Sequence, residues 1–390
     1  MNSRRSSLAI IFGIVFIDLV GFGIVIPILP LYAERFGASP LVIGLLLGVY
    51  SAMQCVCAPL LGKLSDRVGR RPVLLVSIIG TSVGFLIMGL SNSLVLLFVA
   101  RIIDGITGGN ISTAQAYIAD VTPPEQRSRG MGLIGAGFGL GLIFGPAIGG
   151  VLSHFSLAAP FLFAAALAAT NAVAVFFFLP ESLSAEHRSQ AHRDTSLTQM
   201  FQKAEGRSLA VVMATYFCTT VAFSLLTATY SLFTERRFGY HATQNGYIFA
   251  CQGIIGAIIQ GGLLGWLLRV SNDKTLTIAG TVFLAASLFA LPMSMTATML
   301  LITTAGVAVG HALVAAPLNG LASKHVSTTA QGRVLGMMQS TASVARIIGP
   351  VLGGWLLNHD AVHLSAQFGR TPYWTSGAVM LIASILAVIL

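Results

Sequence analysis

Four charged side chains stand inside long apolar stretches of this 390-residue sequence: Asp18, Arg101, Asp104 and Arg346. Charge in such surroundings is costly, and it marks a functional site by default. Asp18 lies in Phe16-Ile17-Asp18-Leu19-Val20-Gly21-Phe22-Gly23, with no basic residue nearby in sequence. Exclusion from water penalises the charged form of a carboxyl, so such a group can take a proton on one side and release it on the other. It could equally hold a cationic substrate, or be satisfied by polar neighbours alone. Arg101 and Asp104 are three residues apart, and positions i and i+3 share a helix face. They read as a functional pair or as an ion pair that only joins helices, and desolvation can exceed the attraction in such a pair. Arg346 must face a cavity or an acid. It either binds an anionic substrate group or pairs with Asp18 or Asp104.

The elements that position these residues are membrane spans. The chain is 55% hydrophobic and 9% charged, whereas soluble domains carry about 25% charge. Twelve apolar segments follow one another, at 8–31, 40–62, 72–91, 93–119, 130–153, 157–179, 208–234, 243–268, 275–292, 295–322, 334–357 and 373–390. Each is long enough to cross a hydrocarbon core of about 30 Å. The runs are continuous rather than alternating, which excludes a strand barrel. Residues 1–7 are polar and basic, and the first segment is of full length, so it reads as a retained span and not a removed signal.

The net charge of +9 suggests a nucleic-acid partner, but its placement refutes one. With the N-terminus inside, the inner segments hold sixteen Lys and Arg and the outer loops hold only Arg35, Arg236, Arg237 and Arg370. That asymmetry is the positive-inside pattern, with both termini in the cytoplasm, and the expected location is the cell inner membrane. The cysteines Cys55, Cys57, Cys218 and Cys251 all lie in apolar spans and read as buried small hydrophobes. No phosphate-cradling Gly-x-x-x-x-Gly-Lys-Ser/Thr loop occurs, so ATP is not the energy source. The loop histidines lack metal-ligand spacing, and neither an enzyme, a metal nor a cofactor is expected.

The sequence repeats itself. Shifted by 204 residues, Arg129, Gly132, Gly145-Pro146 and Gly149-Gly150 fall on Arg333, Gly336, Gly349-Pro350 and Gly353-Gly354. Shifted by 202, Phe36-Gly37 and Gly44 fall on Phe238-Gly239 and Gly246. Six spans are therefore repeated as six more: a bundle at 1–179, a polar cytoplasmic linker at 180–207 and a second bundle at 208–390. Parallel repeats of this kind build rocker-type transporters with a midplane substrate site. The fifth span holds Gly132, Gly141, Gly145, Pro146, Gly149 and Gly150 without one charge. Small residues let membrane helices approach closely, and neighbours can satisfy the backbone groups a proline frees.

Along its whole length the chain resembles the major facilitator superfamily, and most closely its twelve-span drug–proton antiporters, which include the tetracycline exporters. The resemblance implies an all-α membrane fold of two homologous six-helix bundles, alternating access, a small-molecule substrate, protons as the coupling ion and a monomer in the lipid bilayer. The loop Gly62-Lys63-Leu64-Ser65-Asp66-Arg67-Val68-Gly69-Arg70-Arg71-Pro72 is similar to the superfamily's signature gate. There Asp66 is suited to a helix N-terminus. Arg67, Arg70 and Arg71 are suited to carboxylates such as Asp120 or Glu125, and Gly62 and Gly69 to tight turns. The second-half loop, Gly265-Trp266-Leu267-Leu268-Arg269 with Asp273-Lys274 beyond it, is degraded. The resemblance assigns proton coupling to Asp18 and Arg101 and the antiporter motif to the fifth-span glycines, and Asp104 joins the coupling set as a charge inside the span beside Arg101.

Polar residues in cavity-forming spans are candidate substrate contacts: Tyr50, Gln54, Asn110, Gln115, Gln252, Gln260, His311, Asn319, Gln339 and Arg346. Each of these also fits an interhelical hydrogen bond. Tetracycline exporters carry an acid in span three and a histidine in span eight. This chain has Thr81-Ser82-Val83-Gly84-Phe85 and Gly253-Ile254-Ile255-Gly256 there, although Gln260 fits. The expected function is proton-coupled export of a small amphiphilic compound. The alternatives are a symporter or facilitator for a sugar, organic anion or lysolipid, and a channel or non-transporting receptor.

Overall fold

A computed structural model of the chain describes residues 2–122, 127–183, 204–324, 331–361 and 368–390. Every regular element among them is helical. The first half holds α1 (Asn2–Glu34), α2 (Pro40–Val68), α3 (Arg70–Gly89), α4 (Leu94–Thr107), α5 (Asn110–Val121), α6 (Arg127–Leu152) and α7 (Ala159–Phe178). The second half holds α8 (Ala204–Phe238), α9 (Ala242–Ile258), α10 (Leu264–Val270), α11 (Asp273–Ala290), α12 (Ala297–Lys324), α13 (Gln331–Asp360) and α14 (Arg370–Ile389). Eleven stretches are long and apolar enough to cross a membrane, and the shorter apolar run Gly139–Leu152 of α6 falls in the predicted fifth span. The chain is a multi-pass membrane protein. Exposed side chains such as Val95, Phe177, Ile302 and Ile385 would be costly in water and suit a lipid surface.

Two of the expected spans are not single uniform helices. The fourth breaks at Gly108-Gly109 into α4 and α5, with Gly108 N–H returning to the Asp104 carbonyl at 2.7 Å. The backbone angles there suit any residue, with φ −69° and −75°. Close approach is what demands glycine: a Cβ on Gly109 would lie 2.8 Å from the Ala58 Cα, and one on Gly108 2.8 Å from the Tyr50 hydroxyl. The eighth span passes through one π-helical turn, Ile259–Leu263, between α9 and α10. Such turns cluster at functional sites.

Residues group into two compact units. The first comprises Met1–Ala38, Val49–Arg193 and His241–Ala250, and the second Ser39–Gly48, Asp194–Tyr240 and Cys251–Leu390. The first unit's core joins Ile14 and Leu19 of α1, Leu74 and Ile78 of α3, Tyr117 and Ile118 of α5 and Ala172 and Val175 of α7. Here α6 presents two glycine faces. Gly141 and Gly145 abut α1, where a Cβ on Gly145 would lie 2.6 Å from the Val20 carbonyl oxygen. Gly150 and the Pro146 carbonyl abut Gly246 of α9. The helix runs on through Pro146. Gly132 lies in α6, in the part whose side-chain surroundings fall outside the described residues.

The second unit repeats that device. Gly349 and Gly353 of α13 abut Val221 and Leu225 of α8, while Gly354 and the Pro350 carbonyl abut Gly44 of α2. Its core joins Val212 of α8 with Val314 and Leu318 of α12 and Met338 of α13. Gly336 has nothing within 4 Å of a Cβ position, so it takes no part in that packing.

Candidate functional site

In the first unit, the polar residues converge on the break between α4 and α5. Asn110, the first residue of α5, donates from Nδ2 to Asp18 Oδ2 on α1. Asn110 is 2% exposed, and the other oxygen of Asp18, Oδ1, has no partner among the described residues. One turn before the break, Arg101 Nη1 donates to Asp104 Oδ2 at 2.9 Å, with both side chains buried. The Thr81 side chain of α3 bonds the same carboxylate. The Arg101 guanidinium lies over the Tyr50 ring of α2, 4.2 Å from its centre, an attraction that strengthens where water is excluded. Gln54, one turn along α2, donates Nε2 to the Gly108 carbonyl at 2.8 Å and to the Tyr50 hydroxyl at 3.2 Å. The helix break leaves that carbonyl without its usual partner, and Gln54 supplies one. Asp104 is within electrostatic reach of Asp18. Five helices thus bring Asp18, Asn110, Arg101, Asp104, Thr81, Tyr50 and Gln54 into one cluster, and Phe22 tilts against Tyr50 at 6.0 Å.

Residues of the expected gate cluster at the turn between α2 and α3. Gly69 has φ +112°, a backbone state open mainly to glycine. Arg70 is buried and gathers three partners: Asp66 Oδ1 at 2.6 Å, Ser65 Oγ at 2.6 Å and Asp120 Oδ2 at 3.1 Å. Asp66 belongs to the last turn of α2, so it pairs with Arg70 and does not occupy a helix N-terminus. Glu181 takes that place, accepting the backbone N–H of Arg70 at 2.8 Å and of Arg71 at 3.2 Å. Ser182 Oγ donates to Asp120 Oδ2 at 3.0 Å and closes the cluster. The Arg71 side chain donates to the Phe176 carbonyl rather than to a carboxylate. Arg67 is exposed, Gly62 accepts through its carbonyl from Ser65 Oγ at 2.7 Å, and Glu125 lies outside the described residues.

In the second unit, His311 of α12 stacks on Phe223 of α8, with ring centres 4.0 Å apart. Arg346 of α13 donates to Ser343 Oγ at 3.3 Å and lies within electrostatic reach of Tyr216. Tyr216, Thr220 and Phe223 share one face of α8 by spacing. Gln252 Nε2 is buried without a partner among the described residues. The other candidates are more exposed: Gln260 on the π turn, Asn319, Gln339 and, in the first unit, Gln115. Asn319 spends one donor on its own helix, at the Ala315 carbonyl.

Glu181, Thr81 and Ser65 join these clusters without being among the residues the sequence marks out. Glu181 left a signal, as the lone acid directly after the sixth apolar run. Thr81 and Ser65 left none, since a hydroxyl in a membrane helix usually bonds back to its own backbone.

Comparison with known proteins gives one family. The sequence profile of the Major Facilitator Superfamily matches residues 11–350 and 263–390. Tetracycline resistance protein class C of Escherichia coli is 35% identical over 360 residues, covering 89% of each chain. Multidrug resistance protein 2 of Bacillus subtilis (strain 168) is 29% identical, covering 98% of this chain and 94% of its own. Among solved structures, a bacterial homolog of the human lysosomal transporter Spinster, inward-facing and occupied, superposes with TM-score 0.81 at 14% identity, covering 100% and 97% of the two chains. The human organic anion transporter MFSD10 (TETRAN) superposes with TM-score 0.72 at 24% identity, covering 98% and 99%. These two share the fold.

Proposed function

The chain belongs to the major facilitator superfamily, and we propose that it is a proton-coupled exporter of a small amphiphilic compound, acting by alternating access as a transporter and not as an enzyme. Relatives named for tetracycline and multidrug resistance support that substrate class. The observation that carries the coupling is the Asp18 carboxyl in the membrane, held by Asn110 beside the Arg101–Asp104 pair. Protonation of Asp18 biases the inward–outward equilibrium, and substrate competes for the same negative charge. Arg101 and Asp104 set the field around it. The cluster of Asp66, Arg70 and Asp120 latches the inner side. Of the antiporter motif at Gly132, Gly141, Gly145, Pro146, Gly149 and Gly150, the residues Gly141, Gly145 and Gly149 give α1 and α6 a close seam.

Moving a two-state equilibrium from 1:99 to 99:1 takes about 5.5 kcal/mol of differential binding. One proton crossing about 100 mV supplies about 2.3 kcal/mol, so a pH gradient or substrate binding adds the rest. The proposed bundles are 1–179 and 208–390 with a 180–207 linker, and alternating access in folds of parallel repeats comes from rocking of one repeat against the other. The protein works as a monomer in the cell inner membrane, with both termini cytoplasmic and no nucleic-acid partner, in keeping with the sixteen-to-four distribution of basic residues. The test is efflux of a fluorescent amphiphile from proteoliposomes under an imposed pH gradient. Gradient-driven flux in the native protein and its loss in Asp18→Asn are expected, and undiminished flux in that variant would sink the proton role.

Arg346 favours a second reading, a symporter or facilitator for an organic anion, sugar or lysolipid. In that case the His311–Phe223 stack and the Arg346–Tyr216 pair would receive the substrate. Uptake of a labelled organic anion that Arg346→Ala abolishes would favour it over export.

A further inference from the structure

We infer that Asn110 is the positioning residue of the proton site: it favours the ionised Asp18 carboxylate and ties that charge to the break between α4 and α5. This rests on the reading of Asp18 as the proton carrier. Asn110 is the first residue of α5, its side chain is buried, and its amide donates to Asp18 Oδ2. Immediately before it, the broken span is pinned by Gln54 on the Gly108 carbonyl and by close packing of Gly109 on Ala58. The start of α5 therefore cannot drift without pulling Asn110 from the carboxylate. A hydrogen bond to an ionised acceptor is roughly twice as strong as one to a neutral acceptor. Taking up a proton at Asp18 weakens this tie, and releasing the proton restores it. No covalent step is involved.

The charged or titratable groups around Asp18 are few. Asp104 and Arg101 come from α4 and are paired with each other at 2.9 Å. Tyr50 comes from α2, against Phe22 of α1. Helix α7 has no titratable residue, and those of α3 and α6 stand in their first turns. Tyr117 and Asp120 lie two or more turns along α5. Asn110 is thus the uncharged group on which the balance at Asp18 turns.

The test is a pH titration of the carboxyl infrared band of the purified full-length protein in detergent, with Asp18→Asn identifying the band. In Asn110→Ala the midpoint of that band is expected to move alkaline by about one pH unit. Ser112→Ala serves as the structural control. It removes a bond to the Gly109 carbonyl at the same helix start without touching Asp18, and its midpoint is expected to stay in place. An unmoved midpoint in Asn110→Ala, or an equal shift in Ser112→Ala, overturns the inference. If Asn110→Ala does not fold, Asn110→Ser takes its place, with a smaller shift expected and an unmoved midpoint again overturning the inference. Failure of the proton-coupling reading would be distinct. Asp18→Asn would then keep gradient-driven flux in proteoliposomes, whatever the infrared midpoints do.

Discussion

Glu181 Oε1 accepts the backbone N–H of Arg70 at 2.8 Å, and its other oxygen accepts that of Arg71. The carboxylate at the end of the sixth span therefore caps α3, while the Arg70 side chain turns to Asp66 and Asp120. Backbone and side chain of one arginine join four segments of the chain.

The first prediction concerns this cap. A carboxylate at a helix N-terminus contributes roughly 0.3–2 kcal/mol. Glu181→Ala should lower the thermal unfolding midpoint of the purified protein, and Glu181→Gln, which keeps an acceptor, should lower it less. Unchanged melting in both variants would show that the cap contributes nothing.

The Arg101–Asp104 pair gives the second. Removing one partner of a buried pair costs roughly 3–5 kcal/mol, because it strands the other charge. Arg101→Met and Asp104→Leu should each destabilise strongly, and the double variant less than the sum of the two. Additive losses in a double-mutant cycle of melting midpoints would contradict the pairing.

Glycines of α6 supply a third contrast. Gly145→Ala places a methyl 2.6 Å from the Val20 carbonyl oxygen, whereas Gly139→Ala meets nothing within 4 Å. Overpacking costs roughly 1–3 kcal/mol, so Gly145→Ala should lose stability and transport while Gly139→Ala keeps both. Similar behaviour of the two variants, read by melting and by vesicle flux, would refute the seam between α1 and α6.

Substrate binding should depend on pH in a stated direction. A proton on Asp18 removes the negative charge that a cationic amphiphile needs. Affinity should therefore weaken as pH falls through the carboxyl's titration, by up to about tenfold per pH unit for one competing proton. Titration calorimetry with a cationic dye should show this slope in the native protein and none in Asp18→Asn. A slope that survives in the variant would move the competing proton to another group.

Hydropathy and spacing alone establish the class of molecule. Continuous apolar runs of span length leave a backbone in lipid no choice but helix, and the repeated glycine-proline pattern could be read without coordinates because it recurs at a fixed offset. Asp18, Arg101, Asp104 and Arg346 were legible as well, since charge inside an apolar run is rare. The gate loop was legible in its residue types but not in its partners.

Which groups meet depends on the folded chain, because hydrogen bonds and close packing join residues far apart in sequence and hydropathy carries no trace of them. Asn110 could be a substrate contact or a hydrogen bond, until the break at Gly108-Gly109 set its amide against Asp18, 92 positions away. Asp66 looked fit to cap a helix, but α2 extends through Val68, which leaves the N-terminus of α3 to Glu181. Only the packing against Ala58 and Tyr50 explains why two adjacent glycines interrupt a span that hydropathy reads as one.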